Sequence, residues 1–391
     1  MRVKTPTIFK SEIVSSPRSL SLFVDLCERE MQLLEGISQA QPRIDQFLIG
    51  PSFRMCHHKT FARHLHIGTS FIQDAFLATA ALLACEYEPA PIPEVRTIGH
   101  KRAASAVSTL RSIKILDCGD LPFVLLLSVS AVTFALQIGG SALAICRHSL
   151  NIIKPVYEPS MELDSDCFAL VICLVHAETA ECLFRCELPT VRFKAQTSDA
   201  LVDRYLGIAS PLLPFLYDVC SFGYALHHNE GVVNRETMET LEAAEHAVDK
   251  WRPSLPEDYA TRFLQEEISS MMAQAKVFRW SIQLLAHRMR HPYGTETLRG
   301  HTLSNAILDE LDMVILHTKR SVPCVTIAFV VACFELTDPE KRQLAFDKIR
   351  FVIEYSKQVH VKIKKQLKAS WVLRDTHDQL HWCDMLAQLP Q

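Results

Sequence analysis

Glycine is scarce in this chain, with 12 residues in 391. No alternating apolar–polar run is closed by Asn-Gly or Asp-Gly, the pairs that tight hairpins favour, so no β-sandwich or barrel is expected. C-x-x-C is absent although there are 13 cysteines, which excludes thioredoxin-type redox chemistry and most structural zinc modules. G-x-S-x-G, the P-loop and G-x-G-x-x-G are missing as well. The nucleophile elbow, the phosphate cradle and the dinucleotide fingerprint go with them. There is no basic excess: 41 Lys and Arg stand against 44 Asp and Glu, for a net charge of −3. A surface that itself grips nucleic acid needs such an excess, and basic residues interleaved with aromatics, as on RNA platforms, are also lacking. The dense basic stretch KIKKQLK (362–368) is expected to be a solvated helix face. The start, MRVKTPTIFK, is basic but has no apolar core after it, so it does not read as a signal peptide.

What is present is apolar and helical in spacing. Hydrophobic residues make up 48% and charged residues 22%, ordinary globular usage in a chain long enough for a large core. Its length allows two or three domains, or one large helical one. The odd number of cysteines, most in apolar helical segments such as those holding Cys167, Cys173 and Cys182, predicts reduced core residues in the cytosol or nucleus. Residues 1–18 are polar and predict a tail or linker, and 19–391 a helical domain. Helices are predicted over SLSLFVDLCEREMQLLEG, over 70–87, and over 93–115, where Pro93 suits a first turn. Two helices follow over 122–153. Asp164 is the expected N-cap of SDCFALVICLVHAETAECLFR, and Asn234 begins the helix that Pro253 ends. A long helix from Pro256 to about Arg290, and others over 299–318, 323–336, 338–368 and 370–388, complete an all-α fold, a large multi-helix bundle or irregular helical array. DRYLGIASPLLPFLYDVC (203–220) holds two prolines in an apolar run. Ser210 as cap, with Pro211 and Pro214 in the first turn, turns both prolines into helix-start residues, because first-turn N–H groups have no intrahelical partner.

Enzyme chemistry finds few candidates. D-D-x-x-D is absent, and capping explains Asp164 of the Asp164/Asp166 pair. No E-x-x-H repeats as a di-iron bundle requires. HDQLH, His377 to His381, is the best metal-like motif: on a helix both imidazoles share a face and could reach one zinc. Asp378 replaces the glutamate of H-E-x-x-H, which shortens its reach to a metal-bound water, and no third ligand accompanies the pair. The competing reading is two histidines on a partly exposed terminal helix, with Leu380 and Trp382 packed inward. CHHKTFARHLH (56–66) offers Cys56, His57, His58, His64 and His66 but fits no zinc template. His287 and His291 are expected to place positive charge at a helix C-terminus. The charge-free run Leu121–Cys146 is long enough for a bilayer span. Gln137, Gly139-Gly140 and several hydroxyls favour two shorter buried helices instead. Catalytic, cofactor-binding and metal residues are therefore all expected to be none. A metal-dependent enzyme using 377–381 and a single-span membrane protein using 121–146 are the alternatives.

In order along the chain, DRYLGIASPLLPFLYDVC, DKWRPSLPEDY and AKVFRWSIQLLAHRM resemble the fungal-specific transcription factor domain. This is the regulatory region that accompanies the six-cysteine zinc cluster of fungal regulators. VPCVTIAFVVACFELTDPEKRQLAF and WVLRDTHDQLHWCDML resemble that family's late apolar helix and its closing tryptophan-bearing helix. The resemblance covers about residues 45–390, and the order of the motifs carries it. It implies a nuclear transcription regulator whose helical domain tunes activity through protein contacts or an effector pocket and can dimerise, often over metabolic or secondary-metabolite genes. The stripe in SSMMAQAKVFRWSIQLL could line such a pocket or form core. The implied partners are proteins, a second copy or a DNA-binding regulator, with no membrane and no cofactor. The chain departs from the family pattern because Cys27 stands alone where six spaced cysteines would be expected. A truncated gene, a chain cut short of its DNA-binding part, and a regulator acting only through partners all fit that departure. The family carries over no catalytic residue.

Overall fold

The computed structural model describes residues 26–39, 45–67, 69–87, 93–113, 119–158, 163–195, 202–229 and 234–390. The expected tail at 1–18 and the start of the first expected helix lie outside them. Sixteen α-helices and no strand occur among the described residues, as the helical spacing predicts.

The first layer is made by α1 (Glu28–Gln39), α2 (Arg54–Ile67), α3 (Thr69–Tyr87) and α4 (Pro93–Ser112). Small side chains let α3 and α4 approach closely: a Cβ on Gly99 would stand 3.1 Å from the Cβ of Ala81. Arg102 of α4 ties the layer together, reaching Glu30 of α1 at 2.7 Å and Asp74 of α3 at 2.6 Å. The charge-free run becomes α5 (Leu121–Gln137) and α6 (Leu143–Tyr157), broken at Gly139 with φ +73. The left-handed conformation there suits glycine, and the two expected short helices result. α5 is buried on nearly every face.

Asp164 accepts from the N–H groups of Asp166 and Cys167, starting α7 (Ser165–Arg185) as expected. Among the described residues α7 is the one helix long and apolar enough to cross a membrane, and 72% of that apolar window is buried inside the fold. Ser210–Leu212 forms one 3-10 turn before α8 (Leu213–His228), with Pro211 and Pro214 each at the start of its element. The prolines fall where expected, but Ser210 lies inside the turn, whose N-cap residue is Ala209. Asn234 caps α9 (Arg235–Lys250) through the Thr237 N–H at 2.8 Å.

Three expected boundaries move, each because of a distant partner. The helix expected from Pro256 is instead a short α10 (Tyr259–Arg262) followed by α11 (Gln265–Arg290). Glu267 accepts from Leu264 N–H at 2.8 Å and from Ser52 N–H at 2.6 Å, so its carboxylate restarts the helix while holding the 51–53 turn. The segment 338–368 divides into α14 (Pro339–Val352) and α15 (Lys357–Thr376), after α12 (Thr297–Thr318) and α13 (Thr326–Phe334). Buried Ser356 causes this break: it accepts from Val359 N–H at 3.2 Å and donates to the Gln137 carbonyl at the end of α5. The last expected helix is also interrupted, leaving α16 (Trp382–Ala387). On α15, Ile363 and Leu367 are buried while Lys364, Lys365 and Lys368 face solvent, so the basic stretch is a solvated face.

α11 and α13 run through the main core cluster, which extends from Leu48 to Leu389, with two small separate clusters around Leu33 and Phe134. α13 is apolar all round, and every residue from Ile327 to Phe334 is buried. Such a helix must be enclosed by others; α11, α12, α14 and α15 enclose it.

Candidate functional site

The 377–381 motif does not lie on a helix. His377 ends α15 with φ −124 and ψ 127, and its Nδ1 lies 2.8 Å from the Leu373 carbonyl. Leu380 pairs with Tyr293 in an antiparallel bridge, Tyr293 N–H donating at 2.9 Å and Leu380 N–H at 3.2 Å. His381 is the N-cap residue of α16. The segment bends at residues 378 and 379 instead of completing a helical turn, so the helical stacking of residues four apart that would have joined the two imidazoles is lost. Leu380 and Trp382 are buried, as the competing reading held.

The bridge belongs to a buried polar hub that no motif announced. Arg288 and Glu335 have side chains 0% and 1% exposed and meet side-on, Nε to Oε1 at 2.6 Å and Nη2 to Oε2 at 2.8 Å. Arg288 Nη1 also donates to the carbonyls of Pro292 at 3.2 Å and Thr295 at 2.9 Å. The guanidiniums of Arg288 and Arg374 lie 4.9 and 4.7 Å from the centre of the Tyr293 ring. Arg374 donates to the Phe334 carbonyl, and Trp371 Nε1 to the Cys333 carbonyl at 2.8 Å. Desolvated charges persist only when paired and hydrogen-bonded; here they clamp the 291–296 loop, the end of α13 and the 377–381 segment together. His287 is buried with Nε2 3.1 Å from the Glu296 carbonyl, and burial first, then Arg288, lowers its pKa. The positive charge expected of His287 is thus opposed rather than favoured.

A second seam surrounds the DRYLG turn, where residues 202–210 are buried. Asp203 accepts from Tyr205 and Leu206 N–H, both at 2.8 Å. Burial raises its pKa to about 6 against the pull of those amides and of Arg204. Arg204 reaches Asp166 Oδ1 at 3.0 Å and Thr60 Oγ1 at 3.1 Å. Tyr205 Oη lies 3.4 Å from His57 Nδ1. Burial, Arg204 and His58 lower the His57 pKa to about 3, so it is a neutral core residue. Cys56 Sγ lies 3.7 Å from Asp166 Oδ1; the side chains of His64 and His66 lie outside the described residues.

A groove of about 390 Å³ lies between α4, α5 and α6, lined by His100, Ala103, Val107, Arg111, Phe134 and Ile145 among others. Of the two readings of the 269–285 stripe, pocket lining or core, the residues form core: Met271, Ala275, Val277, Phe278 and Ile282 are buried within α11. Cys186, His227 and Cys383 bring their ligand atoms within 4.8 Å of one another, the one grouping of three or more such residues found among the described residues. Sequence reasoning missed it because three separate elements supply the ligands. A weak signal for the hub was visible, since Arg288 interrupts an apolar stripe and Glu335 directly follows the apolar α13.

The family model described as "Fungal specific transcription factor domain" matches residues 168–389, more than half of the chain. The match runs from the first turn of α7 through α16 and contains the hub, the DRYLG turn and the 377–381 segment. Neither a curated protein nor a solved structure matches the chain.

Proposed function

The chain belongs to the fungal specific transcription factor domain family, and from that premise we propose that it is a nuclear transcription regulator whose helical body works through protein contacts. The observation that carries the reading is the family match itself, which falls on the continuous helical core rather than on a peripheral segment. The family is one of transcription factor domains, not of enzymes. Exposed apolar side chains support partner contacts: Leu298, Met313 and Leu316 on α12, and Leu344 and Phe351 on α14. Large apolar side chains left in water are a common mark of protein interaction surfaces when they gather on a face. The α4–α5–α6 groove, mostly apolar with Arg111 and His100 at its wall, is the place for a small effector if one acts. In this reading DNA is reached through a zinc-cluster segment or a partner that carries one, and the genes controlled are metabolic or secondary-metabolite genes.

The test is deletion of the gene with transcript profiling, alongside chromatin immunoprecipitation and imaging of the tagged chain. Nuclear residence, promoter occupancy and a coherent set of altered transcripts are expected. Cytosolic residence with unchanged transcripts would refute the reading.

A further inference from the structure

Three chain segments far apart in sequence end at one place. Cys186 is the C-cap residue of α7, in the left-handed conformation with φ 51 and ψ 43. Glycine or asparagine usually fills such a position, because a Cβ is crowded there. A cysteine held there at the helix end sets its thiol beside Cys383 in the first turn of α16. Cys383 Sγ meets the Gly223 carbonyl at 3.8 Å. His227, in the last turn of α8 and exposed, completes the group. Its neighbours are engaged elsewhere: His228 Nδ1 lies 2.9 Å from the Tyr224 carbonyl, and Cys220 donates to Thr179 O at 3.6 Å.

We propose that Cys186, His227 and Cys383 form a zinc(II) site. Two thiolates and an imidazole are a soft-to-borderline donor set, which favours zinc over magnesium or calcium. Tetrahedral zinc takes sulfur at about 2.3 Å and nitrogen at about 2.0–2.1 Å, which places two ligand sulfurs roughly 3.8 Å apart. The ligand atoms already lie within 4.8 Å of one another, so side-chain rotation of the exposed His227 and a small closing of the thiols complete the geometry. Solvent at the exposed side supplies a water as fourth ligand. On binding, both S–H bonds break and two protons leave to solvent, while two Zn–S bonds and one Zn–N bond form; no oxidant is needed. The ion would fasten α16 to the ends of α7 and α8. The site goes beyond the transcriptional reading and stands or falls without it.

The experiment uses the full chain, reduced and stripped of metal. It is titrated with zinc(II) by calorimetry and with cobalt(II) by absorption spectroscopy. One zinc per chain is expected, together with thiolate-to-cobalt charge-transfer bands and the intense d–d bands of tetrahedral cobalt. His227→Ala, at an exposed position, should keep the helical circular dichroism yet weaken zinc binding by more than the roughly 10–100-fold typical of losing an outer-shell partner. Cys383→Ser should weaken the charge-transfer bands, Cys186→Ser/Cys383→Ser should abolish them, and His377→Ala should change nothing. The proposal is overturned by cobalt binding without thiolate bands, by His227→Ala binding zinc as tightly as the parent, or by His377→Ala abolishing uptake.

Discussion

Replacing Glu335 with glutamine keeps the shape of the side chain and removes its charge. Arg288 then sits in a site where neither partner has more than 1% of its side chain exposed, with no carboxylate opposite its Nε and Nη2. Breaking a buried pair on one side costs about 3–5 kcal/mol, because the remaining charge stays desolvated. Folded domains hold only about 5–15 kcal/mol in all, so the loss is a large share. Arg288→Met leaves Glu335 as the stranded charge and also deprives the Pro292 and Thr295 carbonyls of their donor. It should therefore cost at least as much as Glu335→Gln. The double variant Arg288→Met/Glu335→Leu removes both charges and refills the volume with apolar atoms. It should lose less than either single change, because replacement of a buried pair by apolar groups of similar size is often close to neutral. Urea denaturation reports all three through tryptophan fluorescence, since Trp371 and Trp382 are buried in and beside the hub. Unchanged m values would show that stability, not compactness, has moved. The reasoning is refuted if Glu335→Gln loses less than about 1 kcal/mol, the range of an exposed pair, or if the two single losses simply add in the double variant.

Gly300→Ala should destabilise the protein by roughly 1–3 kcal/mol through overpacking, against the usual gain from alanine in a helix. The added Cβ would meet Arg288 Nη2 at 2.2 Å and Glu335 Oε2 at 2.7 Å, and the hub's hydrogen bonds prevent either from yielding; a stabilised variant in denaturant titration would contradict this. Gly294 has φ +94, and a Cβ there would stand 2.0 Å from the Asp378 carbonyl oxygen. Gly294→Ala should loosen the Tyr293–Leu380 bridge, read as faster proteolysis after residue 376; an unchanged cleavage rate would argue against that role. Burial raises the Asp203 carboxyl from its ordinary 3.8 to about 6, so the folded chain keeps this proton after the unfolded chain has released it. The stability it contributes is complete below pH ~4 and lost as pH rises through ~6. Asp203→Asn can still accept from Tyr205 and Leu206, so it should match the parent near pH 4 and exceed it at pH 7 by roughly 1–3 kcal/mol. Parallel stability–pH curves for the two proteins would refute the shift.

Local chemistry was enough to determine where most helices lie and how they begin. Asp164 and Asn234 cap within three residues, Pro93 and Pro214 occupy first turns, and Gly139 divides an apolar run, all through contacts inside one short stretch. The all-α architecture follows from that local pattern, and the order of its packing segments carried the family resemblance. Tertiary structure alone decided where helices break: Glu267 restarts one while holding Ser52, Ser356 breaks another to reach Gln137, and Leu380 leaves the helix to pair with Tyr293. It alone took His377 and His381 off a common helix, joined Arg288 to Glu335 and gathered Cys186, His227 and Cys383. Helical periodicity records which face of a segment is apolar. It holds no record of which distant side chain will meet that face, and pairing between distant segments is what builds a desolvated charge pair or a cluster of ligands.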